Sequence, residues 1–248
     1  MKTQLVGAAE IAAALAGGAR VRLVLVRSDL ANAELEALVR RAREAGIPVR
    51  SASARALRRL AARPEPTDAL ALLGPAPDGG LADVFAAGGA AWLLVGVRYA
   101  QNIGAAIRTA EVSGASGVIV DARLDHRARR LALRTAMRAD HFMPVCWEAA
   151  EAALACAARA DYRVVGIEDV GDCAPWEIDL TGDVLFAVGG EAAGIPAELI
   201  ERCDAVARLP VRGFIPSYNL QAAVAAVALE RLRQLEAGSA SLDAKREG

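Results

Sequence analysis

LFAVGGEAAGIP, residues 185–196, consists of an apolar run that ends in a glycine-rich turn. Such a run predicts a buried strand, and the glycines after it predict a turn whose backbone groups face a ligand. The turn is not a P-loop, because no Gly-Lys-Ser or Gly-Lys-Thr follows it, and the G-x-G-x-x-G pattern is absent. These absences disfavour a kinase and a nucleotide-dependent oxidoreductase. The alternative interpretation of this stretch is a tight structural turn in which Glu191 caps the next helix.

A second informative stretch, QNIGAAIRTAEVSGASGVIVD, covers residues 101–121. Asn102 is predicted to cap a helix, and Gly104 is predicted to let another backbone approach the first turn of that helix. Arg108 follows on the same helix. Considered in isolation, this spacing favours a surface arginine over a functional one.

The third stretch, LPVRGFIPSYNLQAAVAAVALERLRQL, covers residues 209–235. It predicts a strand, a loop whose path is restricted by Gly213 and Pro216, and a helix capped by Ser217 or Asn219. The alanine-rich side of that helix is suited to close packing against a neighbour. From spacing alone, a helix cap without any further role is an equally good interpretation.

The chain as a whole alternates short apolar strands with helices. This alternation predicts an α/β fold with a mainly parallel sheet that helices cover on both faces. A stretch rich in Gly, Pro and Ala near residues 74–90 predicts a linker. We therefore predict a first domain over residues 1–74, the linker over 75–90, a second domain over 91–236 and a flexible tail over 237–248.

The composition indicates a globular protein rather than a membrane protein. Hydrophobic residues make up 54% of the 248 residues, and no window approaches 18 uncharged apolar residues. The four cysteines lack C-x-x-C and C-x-x-H spacing, which favours reduced, largely buried thiols, a cytoplasmic location and no metal site. These cysteines are Cys146, Cys156, Cys173 and Cys203.

The net charge of −1 is unevenly distributed along the chain. Residues 1–74 carry 12 Lys or Arg against 7 Asp or Glu, whereas residues 75–248 carry 17 against 23. A local basic segment nevertheless lies at residues 122–138, where Asp125 is the single acidic residue. Basic segments suit a polyanion such as RNA, but solvated helix faces are the more common explanation. The arginines of residues 122–138 are Arg123, Arg127, Arg129, Arg130, Arg134 and Arg138.

In their order along the chain, the three stretches resemble the signature motifs of the SpoU/TrmH family of RNA 2′-O-methyltransferases, members of the SPOUT class. The matching patterns are N-x-G-x-x-x-R-T-A-E from Asn102, G-G-E-x-x-G from Gly189, and P-x-x-G-x-x-x-S-x-N from Pro210. The resemblance covers roughly residues 92–236. Residues 5–73 more loosely resemble the small ribosomal-protein-like α/β domain that many relatives carry for RNA recognition.

The resemblance implies a deep trefoil knot in the second domain and S-adenosylmethionine as cofactor. It also implies that backbone groups of the knotted loops hold most of the cofactor. The matching positions are Gly189, Gly190, Leu209, Val211 and Tyr218. Relatives usually carry leucine at the last of these positions, where the tyrosine of this chain is expected to cover the adenine.

The same resemblance assigns catalysis to Arg108, supported by Asn102, Ser217 and Asn219, with Glu191 organising the site. A guanidinium group is a poor general base, because it gives up its proton only in strongly alkaline solution. We therefore expect Arg108 to hold the target phosphate and to lower the pKa of the 2′-hydroxyl, while Ser217 or water receives the proton.

A homodimer is expected, because the last helix carries small residues on one surface, namely Ala222, Ala225 and Ala226. Close isologous packing there leads to the hypothesis that Arg108 serves the cofactor pocket of the opposite subunit. A further departure from the family occurs in residues 134–145, where Ala139 and Asp140 replace a usual Gly-Ala pair. We expect altered packing or RNA contact at that place, with cofactor binding preserved.

The expected partner is RNA. Ribosomal RNA is favoured over transfer RNA, because a separate domain suits a substrate that is recognised beyond the catalytic dimer. A methylase that confers resistance to a ribosome-targeting antibiotic falls within the ribosomal class. The alternatives are a tRNA 2′-O-methyltransferase and a noncatalytic RNA-binding relative.

Overall fold

The computed structural model describes residues 4–61, 67–191 and 193–244, with the side chains of residues 239–244 left aside. The chain divides into two compact units, Met1–Gly79 and Gly80–Gly248. Each unit has its own sheet.

The first unit is built on a four-stranded sheet of order β1-β4-β2-β3. Its strands are β1 Gln4–Val6, β2 Val21–Arg27, β3 Val49–Ala52 and β4 Ala69–Leu73, and its helices are α1 Ala8–Ala16, α2 Ala33–Glu44 and α3 Ala54–Leu60. Strands β2 and β3 run parallel, whereas β4 pairs antiparallel with both β1 and β2. Strand β1 was not predicted, since three residues are too short to show alternation.

The second unit contains a six-stranded sheet in which every neighbouring pair is parallel. Its order is β10-β8-β9-β5-β6-β7. The strands are β5 Ala90–Val95, β6 Gly117–Asp121, β7 Val145–Cys146, β8 Arg163–Ile167, β9 Val184–Gly189 and β10 Ala205–Ala207. The predicted α/β fold with a mainly parallel sheet is confirmed in this unit.

Helices cover both faces of this sheet. They are α4 Leu81–Ala86, α5 Ala100–Val112, α6 His126–Thr135, α7 Ala150–Arg159, α8 Ala197–Ile200 and α9 Leu220–Ala244. Residues of α5, α6 and α9 share one hydrophobic core with the sheet, and residues of α4, α7 and α8 share the other. Because both faces are covered, β5 is buried along its whole length and β9 along all but its last residue, which explains their continuous apolar sequences.

Two predicted boundaries need correction. Residues 75–90 are not a linker throughout, because helix α4 lies within them and buries Val84 and Phe85 in the core of the second unit. The alanines and glycines around this helix concealed it. The predicted tail is wrong as far as Ala244, since α9 continues to that residue. Residues 245–248 lie outside the described residues.

The register of the central strands defines one edge of the sheet. Gly189 at the end of β9 pairs with Val95 at the end of β5, and Val95 pairs with Asp121 at the end of β6. The carboxyl ends of these three strands therefore lie at the same level, which is where ligands bind in open α/β sheets. Among the described residues, none of the helices has the length and apolar character needed to cross a lipid bilayer.

Candidate active site

A cavity of about 410 Å³ lies at the carboxyl edge of β8 and β9. This volume is within the range of small-molecule sites. All five predicted cofactor-binding residues line it, together with Glu191, Ser217 and Asn219. The complete lining is Ile167, Glu168, Asp169, Val188, Gly189, Gly190, Glu191, Gly194, Leu209, Val211, Pro216, Ser217, Tyr218, Asn219, Leu220 and Ala223.

Glycines form one wall of the cavity because no side chain fits there. A Cβ atom on Gly189 would overlap the backbone of Gly194 and Ile195, and one on Gly190 would overlap the backbone of Gly96. Gly190 and Gly194 also form an antiparallel bridge that closes the turn. The turn after β9 is therefore folded tightly on itself, and its backbone borders the cavity.

A chain of three polar side chains joins the three motifs. Asn102 Nδ2 donates a hydrogen bond to Glu191 Oε1 at 2.5 Å, and Asn219 Nδ2 donates to Asn102 Oδ1 at 3.3 Å. The prediction that Asn102 caps its helix is wrong, because α5 begins at Ala100 with Tyr99 at its N-cap. Asn102 lies within the first turn, and its side chain is free to bridge the other two motifs.

The loop before α9 places the remaining predicted residues. Asn219 precedes the helix, and its Oδ1 accepts a hydrogen bond from the backbone N–H of Gln221 at 3.0 Å, which confirms its predicted role as a cap. The Tyr218 hydroxyl donates to the carbonyl oxygen of Pro210 at 3.0 Å. This bond closes the loop on itself, and Ser217 lines the cavity beside it.

Arg108 does not line the cavity of its own chain. It lies on α5 with an exposed side chain. One turn earlier, Gly104 packs against α6 so closely that a Cβ atom would overlap the Ala132 carbonyl oxygen and the Thr135 side chain, which confirms the predicted close approach. Within one chain, Arg108 is therefore the predicted catalytic residue that stands apart from the others.

Two cavity residues were missed by the sequence interpretation. Glu168 and Asp169 follow directly after β8, and both line the cavity. Glu168 Oε2 accepts a hydrogen bond from the Ile195 backbone N–H at 2.7 Å and lies against Gly194. The available signal was a pair of acidic residues at the carboxyl end of a parallel strand, next to the strand that carries the glycine turn.

The backbone is unusual next to Ala139 and Asp140, the residues that replace the usual Gly-Ala pair of the family. Met137 and Arg138 both have positive φ angles, 55° and 60°. Arg138 forms an ion pair with Asp140 at 3.1 Å, and Ala139 is buried in the core.

In the described part of the chain, no three His, Cys, Asp or Glu side chains are grouped as a metal site requires.

The chain is similar in sequence to a family of rRNA methylases and to individual rRNA methyltransferases. The sequence pattern of the SpoU rRNA Methylase family matches residues 91–229. The 23S rRNA (guanosine-2'-O-)-methyltransferase RlmB of Xylella fastidiosa strain 9a5c is 33% identical over 157 residues, which are 61% of this chain and 62% of that protein. RlmB of Xanthomonas axonopodis pv. citri is 26% identical over 241 residues, 93% of this chain and 96% of that one.

Solved structures share the fold. The SpoU methyltransferase AviRb from Streptomyces viridochromogenes has a TM-score of 0.59 and 22% identity, with 95% of this chain and 90% of that chain covered. An AdoMet-bound rRNA methyltransferase from Sinorhizobium meliloti has a TM-score of 0.59 and 24% identity, with 94% and 87% covered.

The family match covers more than half of the chain and includes all three motifs, of which the second and third line the cavity and the first is joined to them through Asn102. The resemblance drawn from those motifs is confirmed. The chain belongs to the SpoU rRNA methylase family.

Proposed function

We propose that the protein transfers a methyl group from S-adenosylmethionine to the 2′-hydroxyl of a ribose in RNA, with ribosomal RNA as the favoured substrate. The observation that carries this proposal is that the second and third family motifs line one cavity of about 410 Å³ and that the first motif is joined to both through the Asn102 side chain. Both RlmB relatives act on 23S rRNA according to their names.

The cavity fits the proposed cofactor in size and in character. Gly189 and Gly190 offer backbone groups in place of side chains, Leu209 and Val211 offer apolar contact, and Tyr218 offers an aromatic ring. These five residues would hold S-adenosylmethionine. When bound, the cofactor supplies a methyl group on a sulfonium, which is already activated and leaves the protein to align the acceptor and to handle its proton.

Arg108 and Ser217 would have separate roles at the ribose 2′-hydroxyl that accepts the methyl group. The guanidinium of Arg108 would bind the phosphate next to the target ribose and stabilise the developing alkoxide. Ser217 lines the cavity and would accept a hydrogen bond from the 2′-hydroxyl, whose proton would pass to water as the methyl group is transferred. The hydrogen bonds among Asn102, Glu191 and Asn219 would fix the turn after β9 and the loop before α9 relative to α5.

The site would be completed by a second copy of the chain. Arg108 is exposed and absent from its own cavity. On α9, Ala226 and Leu229 are exposed, with Leu229 at 66% of its surface, so this helix has an uncovered apolar side next to Ala222 and Ala225. A C2 dimer through these small residues would bring Arg108 to the cavity of the partner subunit.

Mixed dimers test the shared site. Arg108→Ala and Ser217→Ala subunits should each be inactive alone and should recover activity when mixed, because one of the two sites is then intact. Mixing wild-type subunits with a chain that carries both substitutions is the control. Mixed dimers without activity would contradict the shared site.

The family also suggests a deep trefoil knot around the cofactor loops. The tight closure of the turn after β9 and the Tyr218–Pro210 hydrogen bond support a chain that is wound compactly there. The first unit, with its excess of basic residues, would contribute to RNA recognition. A cytoplasmic location would follow from such a substrate.

Mapping of ribose methylation on total RNA, with and without the protein, tests the function and identifies the substrate. One new 2′-O-methyl position in ribosomal RNA is the expected result. A new position in transfer RNA would favour the alternative substrate. Cofactor binding by calorimetry without any new methylation would favour a noncatalytic RNA-binding relative.

A further inference from the structure

Helix α6 presents a row of arginines that the proposed active site does not use. Arg127, Arg130 and Arg134 are spaced by three and four residues, which places them on one face of the helix, and Arg123 lies shortly before it. All four are exposed. Within the described residues, no side chain forms a hydrogen bond or an ion pair with any of them. We call these four residues the α6 ridge.

The stability of α6 does not explain the ridge. Positive side chains near a helix N-terminus are unfavourable toward the helix dipole, and Arg127 lies in the first turn. Like charges three or four residues apart also repel each other. Asp125, the single acidic residue of the segment, accepts a hydrogen bond from the Ala128 N–H as the helix cap. The opposite side of α6 contributes Ala132 to the core and needs no arginine.

Arg129 differs from the ridge. Its guanidinium lies over the Trp147 ring at 4.9 Å from the centroid, and the side chain is half-buried. A cation over an aromatic face is stabilised by the ring. Arg129 is therefore accounted for by packing, and the ridge is restricted to the four exposed residues.

The ridge starts at the sheet edge that carries the cavity. Asp121 ends β6 at the level of Val95 and Gly189, two strands away from the glycine turn. Two strand spacings correspond to about 10 Å. Arg123 follows two residues after Asp121, so the ridge leads away from the same edge at which the methyl acceptor would be bound.

We infer that the α6 ridge binds phosphates of the RNA backbone beside the target nucleotide and so sets the position of the RNA over the cavity. This inference rests on the proposed function. Guanidinium groups donate paired hydrogen bonds to phosphate oxygens and stay charged at every physiological pH. Contacts of this kind position the RNA without reading its sequence.

The salt dependence of RNA binding tests the ridge. The variant Arg127→Gln/Arg130→Gln is compared with wild type by fluorescence anisotropy, with a fluorescein-labelled RNA stem-loop of mixed sequence as probe. Each lost phosphate contact should reduce the slope of log affinity against log salt by about 0.7 to 0.9. The double variant should therefore bind more weakly and show a slope that is shallower by about 1.4 to 1.8.

Arg159→Gln/Arg202→Gln is the matched control, since it removes the same charge from exposed positions of the same unit. Arg202 pairs with Glu151 at 2.6 Å, and Arg159 donates to Cys156 Sγ at 3.0 Å, both on the side of the sheet covered by α7 and α8. The control should keep the wild-type slope. Equal salt-dependence slopes for all three proteins, or equal losses of RNA affinity in both variants, would overturn the inference that the α6 ridge binds RNA phosphates.

Calorimetry with S-adenosylmethionine on the same proteins separates the two proposals. The ridge variant should bind the cofactor as wild type does and should show an unchanged circular dichroism melting curve. If wild type fails to bind the cofactor, the proposed function fails, whereas the anisotropy result still decides the ridge.

Discussion

Asn102 and Glu191 are 89 positions apart in the sequence and are joined by a hydrogen bond of 2.5 Å, in which the Asn102 amide donates to the carboxylate. This bond links the first turn of α5 to the turn after β9. In this orientation of the Asn102 amide, its Oδ1 accepts a hydrogen bond from Asn219, the residue directly before α9. The three motifs thus meet through side chains, and the second and third also line the cavity.

Removal of this carboxylate should impair catalysis more than cofactor binding. We expect Glu191→Ala to lower the single-turnover rate of methyl transfer about tenfold, because one charge-assisted hydrogen bond that orders the site is lost. The cofactor Kd should change little. Glu198→Ala, an exposed glutamate of α8, is the control. Unchanged turnover in Glu191→Ala would show that the bond has no role.

The glycine wall should not tolerate a methyl group. Gly190→Ala would drive its Cβ into the backbone of Gly96, and backbone moves less readily than a side chain. We expect a loss of stability of about 1 to 3 kcal/mol and a large loss of cofactor affinity, measured by thermal unfolding and calorimetry. In Gly213→Ala, the added methyl meets nothing within 4 Å, and little change is expected. Equal behaviour of the two variants would contradict the geometry.

Glu168 should act through its hydrogen bond to the Ile195 N–H. Glu168→Ala leaves that donor unpaired, so we expect cofactor affinity to fall by about tenfold as the turn loosens. Glu168→Gln keeps an acceptor oxygen and should restore most of the affinity. If the glutamine variant binds as poorly as the alanine variant, the charge of Glu168 matters and the positioning role is wrong.

Arg138 offers a test of the backbone where the family pair is missing. Its φ of 60° and ψ of 40° lie in the left-handed region, which costs a residue with a Cβ roughly 1 kcal/mol or more. Arg138→Gly and Arg138→Ala both lose the ion pair with Asp140, but only glycine relieves the backbone. We expect the glycine variant to be more stable by about 1 kcal/mol in urea unfolding. A less stable glycine variant would contradict this conformation.

The cysteines should differ in reactivity with pH. Burial raises the pKa of the Cys146 and Cys203 thiols to about 11, so both stay protonated and unreactive at pH 8. Cys173 is exposed, contrary to the expectation of largely buried thiols. Iodoacetamide labelling followed by peptide mass spectrometry should modify Cys173 first. Cys146 and Cys203 should gain reactivity only as the pH rises toward 11. Early labelling of either buried thiol at pH 8 would contradict the packing.

Much of the fold was predictable because strands buried on both faces leave continuous apolar runs such as residues 90–95 and 184–189. The motifs predicted which residues line the cavity, since glycines and polar side chains cluster after those strands. Helix α4 and strand β1 were missed, because elements of six and three residues are too short to show a periodicity of their own.

Other parts depend on contacts that spacing does not encode. The Asn102 side chain was expected at a helix cap, and its partner Glu191 comes close only because β5 and β9 are neighbours in the sheet. Glu168 lies at the cavity for the same reason, since β8, which it follows, pairs with β9. Strand order is a long-range property, and the sequence pattern alone does not determine it.

Transfer of a labelled methyl group tests the central claim most directly. Purified protein is incubated with S-adenosylmethionine that carries a trideuterated methyl group and with unmethylated ribosomal RNA transcript, and the RNA is digested to nucleosides for mass spectrometry. We expect one nucleoside with the deuterated methyl on its ribose fragment, and none with Arg108→Ala. Label on a base fragment, or no label on any nucleoside, would contradict methyl transfer to a ribose 2′-hydroxyl.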